Sequence, residues 1–240
     1  MITSNQKKFV KSLAQKKYRA EYNCFVVEGV KLVEELLQSD FEVMEIYATS
    51  NWMENNPSVD SEQVSSKDLS IISSFKTANE VLAVVKQKQF FTLDYSKHFS
   101  IALDNVQDPG NLGTIIRTAD WFGIKTVVCS VDTVDVYNPK VIQATMGSLF
   151  RVNVVCIDLI EFFEQNSGLS VYGALLDGDN VYQKKLNKKG SVLLMGNESK
   201  GISETLLPFI TDKILIPKIG QAESLNVSTA TAILCAEFAK

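Results

Sequence analysis

The chain predicts an α/β fold in which a mostly parallel sheet is flanked by helices and preceded by a smaller α/β module. Three observations carry that prediction. The 240 residues are 45% apolar, with 12 Gly and 5 Pro, enough to bury a sizeable core and far from a disordered or collagen-like composition. Short runs rich in Val, Ile and Leu alternate with runs of helical period along the whole length. The stretch Gln87 to Ser100 carries mixed charge and no clear period, which marks it as the boundary between residues 1–95 and 96–240.

The first 20 residues hold six basic side chains (Lys7, Lys8, Lys11, Lys16, Lys17, Arg19) and no acid, while Phe9, Val10, Leu13 and Ala14 recur at helical spacing. The expectation is one amphipathic helix with a cationic outer face, although such a run, taken alone, also fits a merely solvated surface. Then follow CFVVEG as a strand, VKLVEELLQ as a helix, VMEIYAT as a strand, SSKDLSIIS as a short Ser-capped helix and EVLAVVK as a strand.

In the second half, IALD, TVVCS, VNVVC, VYGALL, SVLLM and KILIP read as strands. TIIRTADWF reads as a helix stopped by Gly123, and PKVIQATMG as one capped by Asn138 with Pro139 in its first turn. Strands separated by helices imply a sheet covered on both faces, with its site beyond the carboxyl ends of the strands. That directs attention to the loops after Asp104, Met195 and Pro217.

Composition removes several classes of function. His98 is the one histidine, so multi-histidine metal sites cannot be built and a Ser-His-Asp triad could form only around it. Cys24, Cys129, Cys156 and Cys235 lie far apart, without a C-x-x-C pair, and suit a reducing cytoplasm. No phosphate-binding GxxxxGK[ST] loop and no GxGxxG dinucleotide fingerprint occur. No apolar run approaches a membrane span and the start lacks a signal-peptide core, so the expectation is a soluble cytoplasmic protein with no membrane partner. Its 24 Lys+Arg against 28 Asp+Glu give a net charge of −4, which excludes a globally basic coat but not a local basic patch.

Each of the three loops admits a bland and a sharp reading. In LDNVQDPGNLGTIIRTADWFG, Asn111 stands six residues before Arg117. A helix beginning near Thr114 would put Arg117 in its first turn, where it opposes the macrodipole unless an anion is near and can swing to meet Asn111. A surface arginine beside an Asn turn is the alternative. In LLMGNESKGIS, Gly196 and Gly201 bracket Glu198, presenting a carboxylate at a strand end. In ILIPKIGQAESLNVSTATAILCAEFA, Pro217 stops a strand and Gly220 breaks the loop. Ser224-Leu225-Asn226 then opens a helix of small and apolar residues, expected to be buried all round. Ser224 and Asn226 also suit a plain N-cap.

Together and in this order, the loops resemble the SpoU (TrmH) family of RNA ribose 2'-O-methyltransferases, within the SPOUT superfamily. The family's N-x-G-x-x-x-R core is matched by Asn111 to Arg117, and its G-x-E-x-x-G-[LI] by Gly196, Glu198, Gly201 and Ile202. Its I-P-x-x-G-x-x-x-S-L-N-V-S is matched by Ile216, Pro217, Gly220, Ser224, Leu225, Asn226, Val227 and Ser228, with Lys218 where Met is frequent. The N-terminal module resembles, more weakly, the L30e-like substrate-binding domain attached to many such enzymes.

The resemblance implies S-adenosylmethionine as cofactor, RNA as substrate (ribosomal RNA ahead of tRNA), a C-terminal trefoil knot and a homodimer. It implies a cofactor bed at Met195, Gly196, Ile216, Pro217, Gly220 and Leu225, and a catalytic set of Arg117, Asn111, Glu198, Ser224 and Asn226, with no metal. In the family Arg117 activates the 2'-hydroxyl. Because a guanidinium stays charged in essentially all proteins, binding of the adjacent phosphate and of a developing alkoxide suits it better than proton abstraction. A catalytically inactive RNA-binding relative would have lost motif residues that this chain keeps, and a base methyltransferase would be expected to carry a carboxylate in place of the Asn/Arg pair.

Overall fold

A computed structural model of the chain describes residues 2–88 and 94–240. Residues 89–93 of the expected boundary stretch lie outside the described residues. Two compact units emerge, and they are not contiguous halves: residues 1–89 with 135–150 form one, residues 90–134 with 151–240 the other.

In the first unit the basic N-terminal run is two helices, α1 (Ser4–Ser12) and α2 (Lys16–Tyr22), not the single helix expected. Thr3 and Gln6 form a reciprocal capping box that starts α1. The break is held by Arg19, which is no outer-face cation: it is 2% exposed, and its Nη1 donates to the carbonyls of Leu13 and Ala14 at the end of α1. Its Nε donates to Asp135 Oδ2 at 2.9 Å. A buried guanidinium demands such partners, and periodicity could not reveal one 116 residues away.

Next come β1 (Cys24–Glu28), α3 (Val30–Leu37), β2 (Val43–Ala48), α4 (Ser50–Asn55), β3 (Glu62–Gln63), α5 (Ser66–Ile72) and β4 (Val81–Lys86). Ser65 caps α5 by accepting from the Asp68 N–H. The sheet order is β1-β4-β2-β3, antiparallel except for β2 with β3. All five residues of β1 and the first five of β4 are buried, which explains their unbroken apolar reading. The short α4 and β3 carry too little pattern to have been expected.

The second unit contains β5 (Phe99–Leu103), α6 (Pro109–Trp121) and β6 (Thr126–Cys129). The chain then enters the first unit as α7 (Pro139–Thr145), capped by Asn138 with Pro139 at its start, as the sequence predicts. There Tyr137 packs on Phe25 with ring centroids 4.5 Å apart, and Gln143 Nε2 donates to the Glu28 carbonyl at 2.7 Å. The chain returns as β7 (Asn153–Cys156), α8 (Leu159–Gln165), β8 (Ser170–Asn180), β9 (Ser191–Met195), β10 (Asp212–Leu215) and α9 (Val227–Ala239). The six strands are ordered β10-β8-β9-β5-β6-β7, and every neighbouring pair is parallel.

The central β9 is buried throughout, and α8 lays Leu159, Phe162 and Phe163 over the sheet. Full burial of such side chains is worth about 1.5–3 kcal/mol each. Two expectations change here. β8 runs well beyond VYGALL to Asn180, its register with β10 shifting between Lys213 and Ile214. α9 is buried on one stripe only (Val227, Thr231, Leu234, Cys235, Phe238), against α6 among others, while Ala232, Ile233 and Ala236 remain half-buried. Among the described residues, no helix is long and apolar enough to cross a membrane.

Candidate active site

The loops after β5, β9 and β10 lie at the carboxyl ends of three strands of the parallel sheet. Register fixes the first two side by side, since Leu103 pairs with Met195 and the Asp104 N–H donates to the Met195 carbonyl at 2.9 Å. Side chains then stitch the loops together. Asp104, 5% exposed, accepts from the Ser203 N–H at 2.7 Å. Asn197 Nδ2 donates to the Asn105 carbonyl at 2.7 Å, and Asn197 Oδ1 accepts from the N–H groups of Ser199 and Lys200. Asn197 and Gly201 exchange backbone bonds in both directions at 2.9 Å, folding the Glu198 loop into a narrow hairpin. A Cβ on Gly196 would stand 2.2 Å from the Gly201 carbonyl carbon, so only glycine permits this turn. Sequence reasoning passed over Asp104 and Asn197; a carboxylate closing a strand and an Asx turn between the motif glycines were the available signals.

Asn111 is the junction of the three loops. Its Nδ2 donates to Glu198 Oε1 at 2.8 Å, and its Oδ1 accepts from Asn226 Nδ2 at 2.9 Å. Asn226 in turn caps α9, its Oδ1 accepting from the backbone of Ser228 (2.9 Å) and Thr229 (3.3 Å) and from Ser228 Oγ (2.6 Å). Residues 111, 198 and 226 are thus one hydrogen-bonded chain. An Asn is suited to the middle of it, because its amide gives a donor to the carboxylate and an acceptor to the second amide at once.

Arg117 stands elsewhere than its loop suggested. Asp108 caps α6 by accepting from the Asn111 N–H at 2.8 Å, and Pro109 occupies the first turn, so the helix begins five residues before Thr114. Arg117 is therefore its ninth residue, about 9 Å along the axis from Asn111 at 1.5 Å per residue, and outside the turn where the macrodipole acts. It is exposed, and among the described residues it makes no hydrogen bond or ion pair and does not meet Asn111. Its guanidinium is free to take a ligand from outside.

The third loop supplies an open bed. Met195 is buried at the end of β9, Ile216 and Pro217 are half-buried, and Gly220 and Ser224 are exposed. Ile219 is fully exposed and Leu225 half so, which leaves apolar surface uncovered. Among the described residues, 216–225 make no backbone–backbone hydrogen bond outside the strands. Unpaired main-chain donors and acceptors beside bare apolar side chains can receive the polar edge and the flat face of a heterocycle. These residues therefore fit an adenosine-bearing ligand.

A wholly parallel sheet whose strand-end loops converge on one polar junction defines an α/β protein with a ligand site at the carboxyl edge. The chain belongs to the SpoU rRNA Methylase family, whose profile matches residues 98–236, and the MRM3-like substrate binding domain profile matches residues 5–83. It is similar to the 23S rRNA (guanosine(2553)-2'-O)-methyltransferase RlmP of Bacillus subtilis, 35% identical over 236 residues that cover 96% of this chain and 94% of that one. Among solved structures, a TrmH-family chain from Porphyromonas gingivalis superposes with a TM-score of 0.90 at 39% identity, covering 99% of this chain and 98% of its own. An AdoMet-bound rRNA methyltransferase from Sinorhizobium meliloti superposes with a TM-score of 0.89 at 29% identity, covering 99% and 95%.

Proposed function

We propose that the protein transfers a methyl group from S-adenosylmethionine to a ribose 2'-hydroxyl of structured ribosomal RNA. The observation that carries this reading is the Glu198–Asn111–Asn226 chain, which ties the three motif loops to one point at the sheet edge. Of the relatives named above, the one from Bacillus subtilis is a 23S rRNA 2'-O-methyltransferase and the rRNA methyltransferase from Sinorhizobium meliloti is AdoMet-bound, in agreement with it.

When bound, the cofactor supplies an electrophilic methyl carbon and departs as a neutral thioether. The bed of Met195, Gly196, Ile216, Pro217, Gly220 and Leu225 would hold it by main-chain groups and apolar faces. Arg117, exposed and among the described residues without a partner, would grip the phosphate next to the target ribose and offset the charge growing on the 2'-oxygen as the hydroxyl proton leaves to that phosphate or to water. Asn111, Glu198, Ser224 and Asn226 would keep the ribose and the loops in place; such positioning can lower a barrier by several kcal/mol.

In this reading residues 96–240 carry the chemistry and residues 1–95 recruit RNA. The C-terminal segment is threaded as a trefoil knot, and the protein works as a homodimer in the cytoplasm. The dimer is supported by apolar surface the second unit leaves bare: Trp121 at the end of α6 is 84% exposed, and α9 keeps a half-buried apolar side.

The test maps 2'-O-methyl groups in RNA from cells lacking the protein and restores the lost one with purified protein and S-adenosylmethionine. Loss from a ribosomal RNA position, restored by wild type and by neither Arg117→Ala nor Arg117→Lys, is the expected result, since an ammonium lacks the planar fork. Loss confined to tRNA would move the substrate, and no loss anywhere would overturn the activity.

A further inference from the structure

The two N-terminal helices bring three aromatic rings together at the surface. Tyr18 and Tyr22 stand one turn apart on α2, their rings nearly parallel at 12° with centroids 6.3 Å apart. Phe9 of α1 meets Tyr22 edge-on at 5.1 Å, and Lys17 Nζ lies 5.6 Å from the Tyr18 ring centre. Tyr22 is 45% exposed, and among the described residues neither tyrosine hydroxyl makes a hydrogen bond. A ring placed only to complete a core would be covered, as Tyr47 is in the same unit.

The charges around these rings are mostly basic: α1 and α2 carry six cations against one acid, Glu21. Of the six basic residues in the first 20, Lys7 is paired with Asp68 and Arg19 with Asp135. Lys8, Lys11, Lys16 and Lys17 are exposed, and among the described residues none is paired with a carboxylate. In a chain of net charge −4 this is a local cationic surface wrapped around an exposed π face. Duplex RNA offers phosphates but keeps its bases stacked on one another; an unpaired nucleotide offers phosphate and a free base together.

We propose that the α1–α2 surface binds an unpaired RNA nucleotide, its base stacked on Tyr22 with Tyr18 behind, and its flanking phosphates held by Lys16 and Lys17. This rests on the RNA-methylating function proposed above and adds the feature of RNA that the N-terminal unit reads: a loop or bulge and not a helix.

The experiment measures binding of the full chain to a single-stranded RNA carrying 2-aminopurine and to a perfect RNA duplex of equal length. The wild type is compared with Tyr22→Phe, Tyr22→Leu and the double variant Lys16→Glu/Lys17→Glu, after circular dichroism confirms equal folding. Tyr22→Leu keeps an apolar contact with Phe9 but removes the flat face. It should weaken single-strand binding about 5- to 150-fold, the worth of one stacked base, and abolish 2-aminopurine quenching while duplex binding stays unchanged. Tyr22→Phe should bind as wild type, and the double lysine variant should weaken both probes and flatten their salt dependence. If Tyr22→Leu binds and quenches as wild type, or loses both probes equally, the stacking site is wrong while the methyltransferase reading stands. If Tyr22→Leu does not fold, wild-type binding that quenches no 2-aminopurine overturns the proposal by itself. A wild type that binds neither probe overturns RNA recruitment by this unit altogether.

Discussion

Asn226 serves two purposes that substitution can separate. Its Oδ1 caps α9 by accepting two backbone N–H bonds, and its Nδ2 feeds Asn111. Asn226→Ala removes both. Loss of an N-cap costs about 1 kcal/mol, and the side-chain bond contributes about 0.5–1.5 kcal/mol, so unfolding free energy should fall by about 1.5–2.5 kcal/mol. Asn226→Asp keeps the capping oxygen and places a negative charge at the positive end of the helix, a gain of about 0.3–1 kcal/mol that offsets the lost donor. Its stability should stay within about 1 kcal/mol of wild type. What it cannot do is donate to Asn111, whose Oδ1 would then face a second carboxylate oxygen. Urea denaturation gives the stabilities, and initial rates with radiolabelled S-adenosylmethionine give the turnover. The expected pattern is a stable but slow Asn226→Asp and an unstable, slow Asn226→Ala. Wild-type turnover in Asn226→Asp would refute the claim that the Asn111 junction holds the site, and a cost under about 0.5 kcal/mol in Asn226→Ala would refute the cap.

Arg19→Ala should destabilise the first unit by about 3–5 kcal/mol, since it strands Asp135 and the carbonyls of Leu13 and Ala14; a thermal melt reads the loss. Gly196→Ala should yield a folded protein without methyl transfer, because its Cβ collides with the Gly201 backbone; cofactor titration should show weakened binding. Cys156, the exposed thiol, should be the first alkylated by iodoacetamide at pH 8, by peptide mass spectrometry. Burial raises the thiol pKa values of Cys24 and Cys129 and pushes Cys235 up to about 12, so these should react slowly. In acid, hydrogen bonds from lysine hold the carboxyls of Asp40, Asp68 and Asp94 below their ordinary values, Asp94 at about 2, with Lys97 and then Ser96 as its causes. Depressed folded-state values give stability that is full above the unfolded carboxyl value of about 4 and lost as pH falls toward 2, which a circular dichroism titration follows.

Buried strands announce themselves in the sequence: SVLLM, TVVC and VLAVV are runs with no polar alternation because both faces of their strands are covered. Caps were equally legible where Ser65, Asn138 and Asn226 precede a helix. A helix start near Thr114 follows from taking Pro109-Gly110 and Gly113 as a turn, whereas Asp108 and Pro109 already commit the chain to a helix that tolerates both glycines. Motif spacing named Asn111, Glu198 and Asn226 one by one; that the first bridges the other two depends on tertiary packing of residues 87 and 115 positions apart. Lys184, Lys185, Lys188 and Lys189, ahead of the SVLLM strand, form a second basic cluster in the sequence and show the limit of counting charges. Lys184 is already held by Asp179, five residues before it, at 3.0 Å and by Asp212 of β10 at 2.9 Å, and a count of charges does not reveal either pairing.

The excursion of residues 135–150 into the first unit bears on how such proteins can be taken apart and recombined. The chain passes between the units at 89/90, 134/135 and 150/151. A fragment cut at 95/96 would carry α7 away from its packing partners, with Val141, Ile142, Leu149 and Phe150, all buried here, turned to water. A donor module grafted onto this catalytic unit must bring its own surface to match that segment, or inherit the segment along with the module. Residues 135–150 are therefore heritable with the first unit although encoded inside the second, and a chimera that respects this should stay soluble where one joined at the linear boundary aggregates.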